Sequence, residues 1–234
     1  MSQLNASHPP TGSIEAIVFD LDGVLVESEG VWNTARRDIA LRNGGRWPAD
    51  AQRAMMGMSS TEWSTYMHDE LGVAMSPAEI SETVVARLAS LYRQGMPLIA
   101  GAHEAVVELA RVWPLALASS ANRPIIDLVL ELAGLTDCFD AAVSSEEVAH
   151  GKPAPDVYLE AARRAGVPAS RCAAVEDSSN GLRSAAAAGM TVLAVPNREF
   201  PPSPNALALA ADVLHSIAEL TPERVRRAGG ALSS

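Results

Sequence analysis

The chain has 234 residues, 48% apolar and 20% charged, with a formal net charge of −10 and two cysteines. That length and apolar content suit a globular core domain with a smaller insert and argue against a disordered chain. The acidic balance argues against nucleic acid or anionic membrane as the main partner, since both need basic patches.

Residues 1–13 (MSQLNASHPPTGS) are polar, lack the apolar stretch of a signal peptide, and read as a disordered leader. No apolar run approaches the roughly 20 residues of a membrane helix. Cys138 and Cys172 sit in no metal-type spacing and read as buried thiols of a reduced, cytoplasmic protein. Residues 16–19 (AIVF) are continuously apolar, as in a parallel strand covered on both faces, and run into Asp-Leu-Asp-Gly. Residues 31–42, 60–72 and 77–93 then read as helices; Ser76-Pro77-Ala78-Glu79 supplies an N-cap, a proline at N1 and a first-turn acid. Strand-like runs follow at 114–118 (PLALA), 141–143, 172–175 (CAAV) and 191–195 (TVLAV). Helical segments at 122–133, 155–165 and 178–188 alternate with them, the last closed by Gly189. Residues 196–204 are proline-rich and read as loop; 211–220 suit a short edge strand and a helix. The alternation predicts an α/β fold, a doubly wound and mainly parallel sheet built from residues 1–26 and 98–234. A helical cap spanning residues 27–97 is inserted into it.

Four polar pieces follow apolar strands, and open α/β sheets build their sites at the carboxyl ends of strands. Asp20 and Asp22 leave a strand end on the same side, so one could attack an electrophile while the other moves protons; an Asp-Gly turn explains them equally well. Ser119 and Ser120 could hold phosphoryl oxygens, although helix capping by Ser120 or Asn122 is the commoner use. Lys152, the only lysine in the chain, stands in Gly-Lys-Pro-Ala-Pro-Asp. Its ammonium is a compact point charge that a guanidinium imitates poorly. Glu176 and Asp177 could join Asp20 in a hard oxygen site, or serve as an acidic helix start.

The set is more specific than its members. FDLDGVL, apolar-Ser, GKPAPD and VEDS-x-x-G, in this order, resemble the haloacid dehalogenase superfamily, over roughly residues 14–195. The likeness is to the branch with a helical cap after the first strand, which contains phosphoglycolate phosphatases, 2-deoxyglucose-6-phosphate phosphatases and β-phosphoglucomutases. The resemblance implies Asp20 as a nucleophile forming an aspartyl-phosphate and Asp22 as general acid/base. It implies Ser119 and Lys152 as phosphate-binding groups, and Mg²⁺ held by Asp20, Asp22 (through its backbone carbonyl), Asp177 and Glu176, the last directly or through water. Substrate contacts are expected from Ser120, Asn122, Arg123 and Trp32, with Glu27, Ser28, Arg53, Ser59 and Ser60 as weaker cap-side candidates.

Hydrolysis of a small phosphorylated metabolite by a monomer is the reading this favours. A β-phosphoglucomutase-like sugar phosphomutase is the alternative. That branch carries His where Trp32 falls and a basic residue after a Gly-x-Ser turn, where this chain has Ser60. A dehalogenase lacks the second acid, and a phosphonoacetaldehyde hydrolase needs a cap lysine that this chain does not have. A receiver-like phospho-acceptor has neither a large helical insert nor an acid at the place of Asp22.

Overall fold

The structure is a computed structural model describing residues 13–56 and 58–230. The expected leader, apart from Ser13, lies outside the described residues. Six parallel strands form one sheet: β1 (Ala16–Phe19), β2 (Leu115–Ser119), β3 (Ala141–Ser144), β4 (Cys172–Glu176), β5 (Thr191–Ala194) and β6 (Asp212–Val213). Their order is β3-β2-β1-β4-β5-β6. The chain therefore departs to one side of β1 and returns to the other, leaving a crevice at the carboxyl end of β1, where ligands of such sheets bind.

The unbroken apolar strands follow from two buried faces. Ile17, Phe19, Leu115, Leu117, Ala173 and Val175 point into one core. Their neighbours Ala16, Val18, Ala116, Ala118, Cys172 and Ala174 point into the other, as the period of two requires. The alanines on the second face let α7 (Asp156–Arg164) lie close on β1, β2 and β3. It buries Val157, Tyr158, Ala161 and Ala162 there. Helices α5 (Ala102–Ala110) and α6 (Arg123–Ala133) contribute Val106, Leu109, Ile125, Ile126 and Val129 to the first core. Each large side chain buried in this way contributes roughly 1.5–3 kcal/mol. Helix α8 (Ser179–Ala187) follows β4 and ends before Gly189, which takes the left-handed conformation (φ +80°) that favours glycine.

Among the described residues between β1 and α5 lie four helices and no strand: α1 (Glu29–Arg42), α2 (Ala51–Met55), α3 (Ser60–Asp69) and α4 (Pro77–Gln94). α4 carries Ile80, Val84, Leu88 and Tyr92 at four-residue spacing and packs this stripe against α1 and α3. Capping boxes start α3 and α4: Ser59 N–H donates to Glu62 (2.7 Å) and Ser76 N–H to Glu79 (2.9 Å). The two ends of the helical segment run side by side, with Glu27 N–H donating to the Pro97 carbonyl (2.9 Å) and Ile99 N–H to that of Leu25 (2.9 Å).

The sequence reading missed four helices and overextended two segments. α2, α5 and α10 (Pro222–Gly230) were unmarked. α2 is only five residues long, α5 begins after Gly101 with no side-chain cap, and α10 buries only Val225, Ala228 and Gly229. The helix read over 60–72 stops at Asp69. In 211–220 the expected helix is one 3₁₀ turn, Ile217–Glu219. The proline-rich loop ends in a short helix, α9 (Pro204–Leu207), capped by Ser203.

Candidate active site

Asp20 follows β1 directly, and its N–H donates to the Val175 carbonyl of β4 (3.0 Å), extending the sheet by one rung. Its carboxylate accepts from Lys152 Nζ at 2.7 Å. The same ammonium donates to Glu176 Oε1 at 2.7 Å, and its side chain is 5% exposed. Glu176 is fully buried. Its Oε1 also accepts from Tyr158 Oη (2.9 Å), and its Oε2 accepts from the N–H groups of Asp177 (3.0 Å) and Ser178 (3.1 Å). Tyr158 comes from α7 and also stacks under the ammonium, 5.1 Å from ring centroid to Nζ. No signal in the sequence marked it: a tyrosine on a buried helix face looks like packing until its hydroxyl finds a carboxylate.

Two glycines make room for the carboxylates. Gly23 has φ +78°, and a Cβ there would collide with the Asp177 carboxylate. A Cβ at Gly181 would occupy the space of the Glu176 carboxylate. The Asp-Leu-Asp-Gly and Glu-Asp-Ser-x-x-Gly spacings are thus set by clearance as well as by turn geometry.

Asp20, Glu176 and Asp177 bring one carboxylate oxygen each within 4.8 Å of one another. Three acids share a single ammonium, so the cluster carries uncompensated negative charge. Burial pushes Asp20 up to about 7, and Glu176 and Asp22 add to the rise while Lys152 opposes it. Asp177 is pushed well above the usual carboxylate range by burial, then by Glu176 and Asp20. Burial alone would lower Lys152, yet the Asp20 and Glu176 carboxylates outweigh it and hold the ammonium above its ordinary value. Burial and mutual repulsion raise the acids, and the acids in turn raise Lys152, in a crevice that gathers more carboxylates than cations. A divalent cation bound by hard oxygens offsets that excess, and the residues present fit one.

A cavity of about 510 Å³ opens between this crevice and helices α1, α2 and α3. Asp20, Asp22, Lys152, Asp177 and Ser120 line its sheet side. Trp32 and Arg53 line the helical side, and Trp32 Nε1 donates to Asp22 Oδ1 at 3.3 Å. The remaining sequence candidates lie elsewhere. Ser119 is buried, its Oγ accepting from the Ala121 N–H (3.0 Å). Asn122 occupies the N-cap position of α6, but its side chain donates to Glu146 (2.7 Å) instead of capping the helix. Ser60 meets the same Glu146 oxygen from α3 (2.6 Å), so this carboxylate joins the inserted helices to the sheet body. Arg123 points away from the cavity into Glu147 and the Ala142 carbonyl. Glu27 is exposed, Ser28 is buried, and Ser59 is spent in its capping box. Arg36 and Trp63, which also line the cavity, were not among the sequence candidates.

A parallel sheet whose switch point gathers paired acids, a lysine and a serine-bearing strand end defines a class. The family model for haloacid dehalogenase-like hydrolases matches residues 14–189, and the chain belongs to that family. It is accordingly an enzyme, and relatives within the family are named as phosphatases. Hexitol phosphatase B of Escherichia coli K12 is 35% identical over 215 residues, covering 89% of this chain and 95% of that protein. A probable pseudouridine-5′-phosphatase of Drosophila melanogaster is 33% identical over 214 residues, 88% of this chain and 91% of its own. The crystal structure of CbbY from Rhodobacter sphaeroides in complex with phosphate matches with a TM-score of 0.80 at 28% identity, over 88% of this chain and 96% of that one.

Proposed function

We propose that this protein hydrolyses a small phosphate monoester through an aspartyl-phosphate on Asp20. The observation that carries the reading is Lys152 Nζ, 2.7 Å from both Asp20 and Glu176 in a crevice where three carboxylates converge. The naming of hexitol phosphatase B and of the probable pseudouridine-5′-phosphatase supports small polyol or sugar phosphates as the substrate class.

Asp20, as carboxylate, attacks phosphorus through one oxygen while the bond from phosphorus to the ester oxygen breaks. Asp22 hands its proton to that departing oxygen and becomes a carboxylate. It then takes a proton from a water that attacks the same phosphorus. The bond between Asp20 and phosphorus breaks, releasing inorganic phosphate and restoring both acids. Trp32 holds Asp22 Oδ1 through an N–H that can only donate, so Oδ2 is left to carry the proton. Lys152 offsets the repulsion between nucleophile and phosphate, and Glu176, held by five donors with Ser178 Oγ at 3.2 Å included, fixes the ammonium in place. Asp20, Asp177 and the Asp22 carbonyl would hold Mg²⁺, with Glu176 reaching it through water. When bound, the ion supplies positive charge against the phosphoryl oxygens.

Residues 27–97 act as a cap on the core formed by 1–26 and 98–234. Trp32–Asp22 and Ser60–Glu146 are the cap–core contacts that this division turns into closing contacts. Transfer to water rather than to a sugar hydroxyl is favoured because the cap contains no lysine and presents Trp32, which cannot take a proton, beside Asp22.

The test is phosphate release from p-nitrophenyl phosphate and a panel of phosphorylated metabolites with Mg²⁺. Steady turnover is expected, abolished by chelation, restored by Mg²⁺, and lost in Asp20→Asn with the fold retained by circular dichroism. Labelling that stops at one phosphate per chain, or turnover surviving Asp20→Asn, overturns the reading.

A further inference from the structure

Trp32 and Arg36 stand one helical turn apart on α1, and both line the cavity. Arg36 is 7% exposed. Its guanidinium carbon lies 4.7 Å from the Trp32 ring centroid and 4.9 Å from that of Trp63. The two rings meet at 60°, with centroids 6.0 Å apart. Such rings attract the cation but offer no lone pair to its five N–H donors. Among the described residues Arg36 has no ion-pair partner, and its Nε is sealed from solvent without an acceptor. Burial lowers its proton affinity to about 10, with Glu29 and Asp22 pulling it back up, so it stays charged at neutral pH. Glu29 lines the same cavity but forms no ion pair with it. Arg53 adds a second guanidinium to this wall.

The arrangement is the reverse of the crevice opposite. There, acids outnumber the one ammonium; here, a buried cation feels Glu29 and Asp22 across the cavity but is bonded to neither. Holding a guanidinium largely out of water with no carboxylate bonded to it opposes folding, and a ligand anion in the cavity that Arg36 lines would supply acceptors to its terminal N–H groups. We propose that Arg36 binds a second acidic group, a carboxylate or a further phosphate, at the far end of the substrate. The inference rests on the phosphatase reading above for the near end, where the scissile phosphate lies against Lys152. It narrows the substrate class proposed above to those phosphomonoesters, sugar or polyol phosphates included, that carry a second acidic group.

Three series of straight-chain compounds with two to six carbons test this: ω-carboxyalkyl phosphates, α,ω-bisphosphates and ω-hydroxyalkyl phosphates. At one chain length the wild-type enzyme should favour an acidic tail over the hydroxyl tail by about 10–10²-fold in kcat/KM, the range a charge-assisted bidentate contact gives. The first two series separate carboxylate from phosphate. Arg36→Met, close in volume, should bring the ratio to within about threefold of unity, and Arg36→Lys should keep part of it. Binding of the same compounds to Asp20→Asn by calorimetry reads the preference without turnover. A preference in binding with no phosphate release from wild type would retain Arg36 and reject the phosphatase. No acidic-tail preference at any length, or one that survives in Arg36→Met, overturns the inference. If Arg36→Met does not fold, the wild-type series and Arg36→Lys decide it.

Discussion

The two walls of the cavity obey opposite rules. On the sheet side, Asp20 directly follows β1 and Glu176 closes β4, and each carboxylate oxygen of Glu176 has a donor. On the helical side, Arg36 projects from mid-helix between two tryptophans with no acceptor. A wall anchored through backbone can fix reacting groups closely before any ligand arrives. A wall built from helix faces holds groups whose partners must come with the ligand. The contrast teaches that the first wall can specify a reaction and the second a molecule.

The contrast can be attacked first at its most rigid point. Lys152→Arg keeps the charge but puts a larger, planar group between Asp20 and Glu176; turnover should fall by about 10²–10³-fold, measured as kcat with saturating p-nitrophenyl phosphate. Near-normal kcat would show that the crevice is less exacting than its hydrogen bonds imply. Gly181→Ala tests the clearance behind Glu176. The added Cβ must displace a buried carboxylate, and the loss should be about 1–3 kcal/mol in chemical denaturation, accompanied by lower kcat. Trp32→Phe crosses from one wall to the other: it keeps an aromatic ring, smaller than the indole, and removes the donor to Asp22. A drop of about 3–10-fold in kcat with saturating p-nitrophenyl phosphate is the expected size for one neutral hydrogen bond.

The smallest effect lies far from both walls. Arg224 holds the Asp212 carboxyl below the usual carboxylate range by hydrogen bonding, at 2.6 Å, and by charge. A depressed folded value means the pair stabilises above the ordinary carboxylate pKa and loses that contribution as pH falls through the folded one. Asp212→Asn should therefore cost about 1 kcal/mol or less at pH 7 and nothing once the wild-type carboxyl is protonated, read from melting curves across acid pH.

The same division governs what the sequence discloses. β1, β2, β4 and β5 are legible as unbroken apolar runs because both faces of the sheet are covered. Asp20 and Asp177 are legible because fixed short spacings mark strand ends, and Lys152 because it is the chain's only lysine, set between Gly151 and Pro153 in the loop after β3. Tyr158 and Arg36 are not, since a residue's bearing on a helix depends on which face finds a neighbour. Arg123 shows the converse: its position just after the second strand suggested a ligand contact, while Glu147 and the Ala142 carbonyl claim its guanidinium. Asn122 likewise had the residue type of a helix cap, and Glu146, from a distant part of the chain, took its amide.

Lys152 is the chain's only lysine, and it is sealed inside the crevice with a firmly held proton. The exterior therefore bears guanidinium groups but no side-chain amine. Acylating dyes, bifunctional succinimidyl cross-linkers and enzymes that attach modifiers to lysine find no lysine there. A reagent that does reach this amine reports directly on whether the crevice has opened.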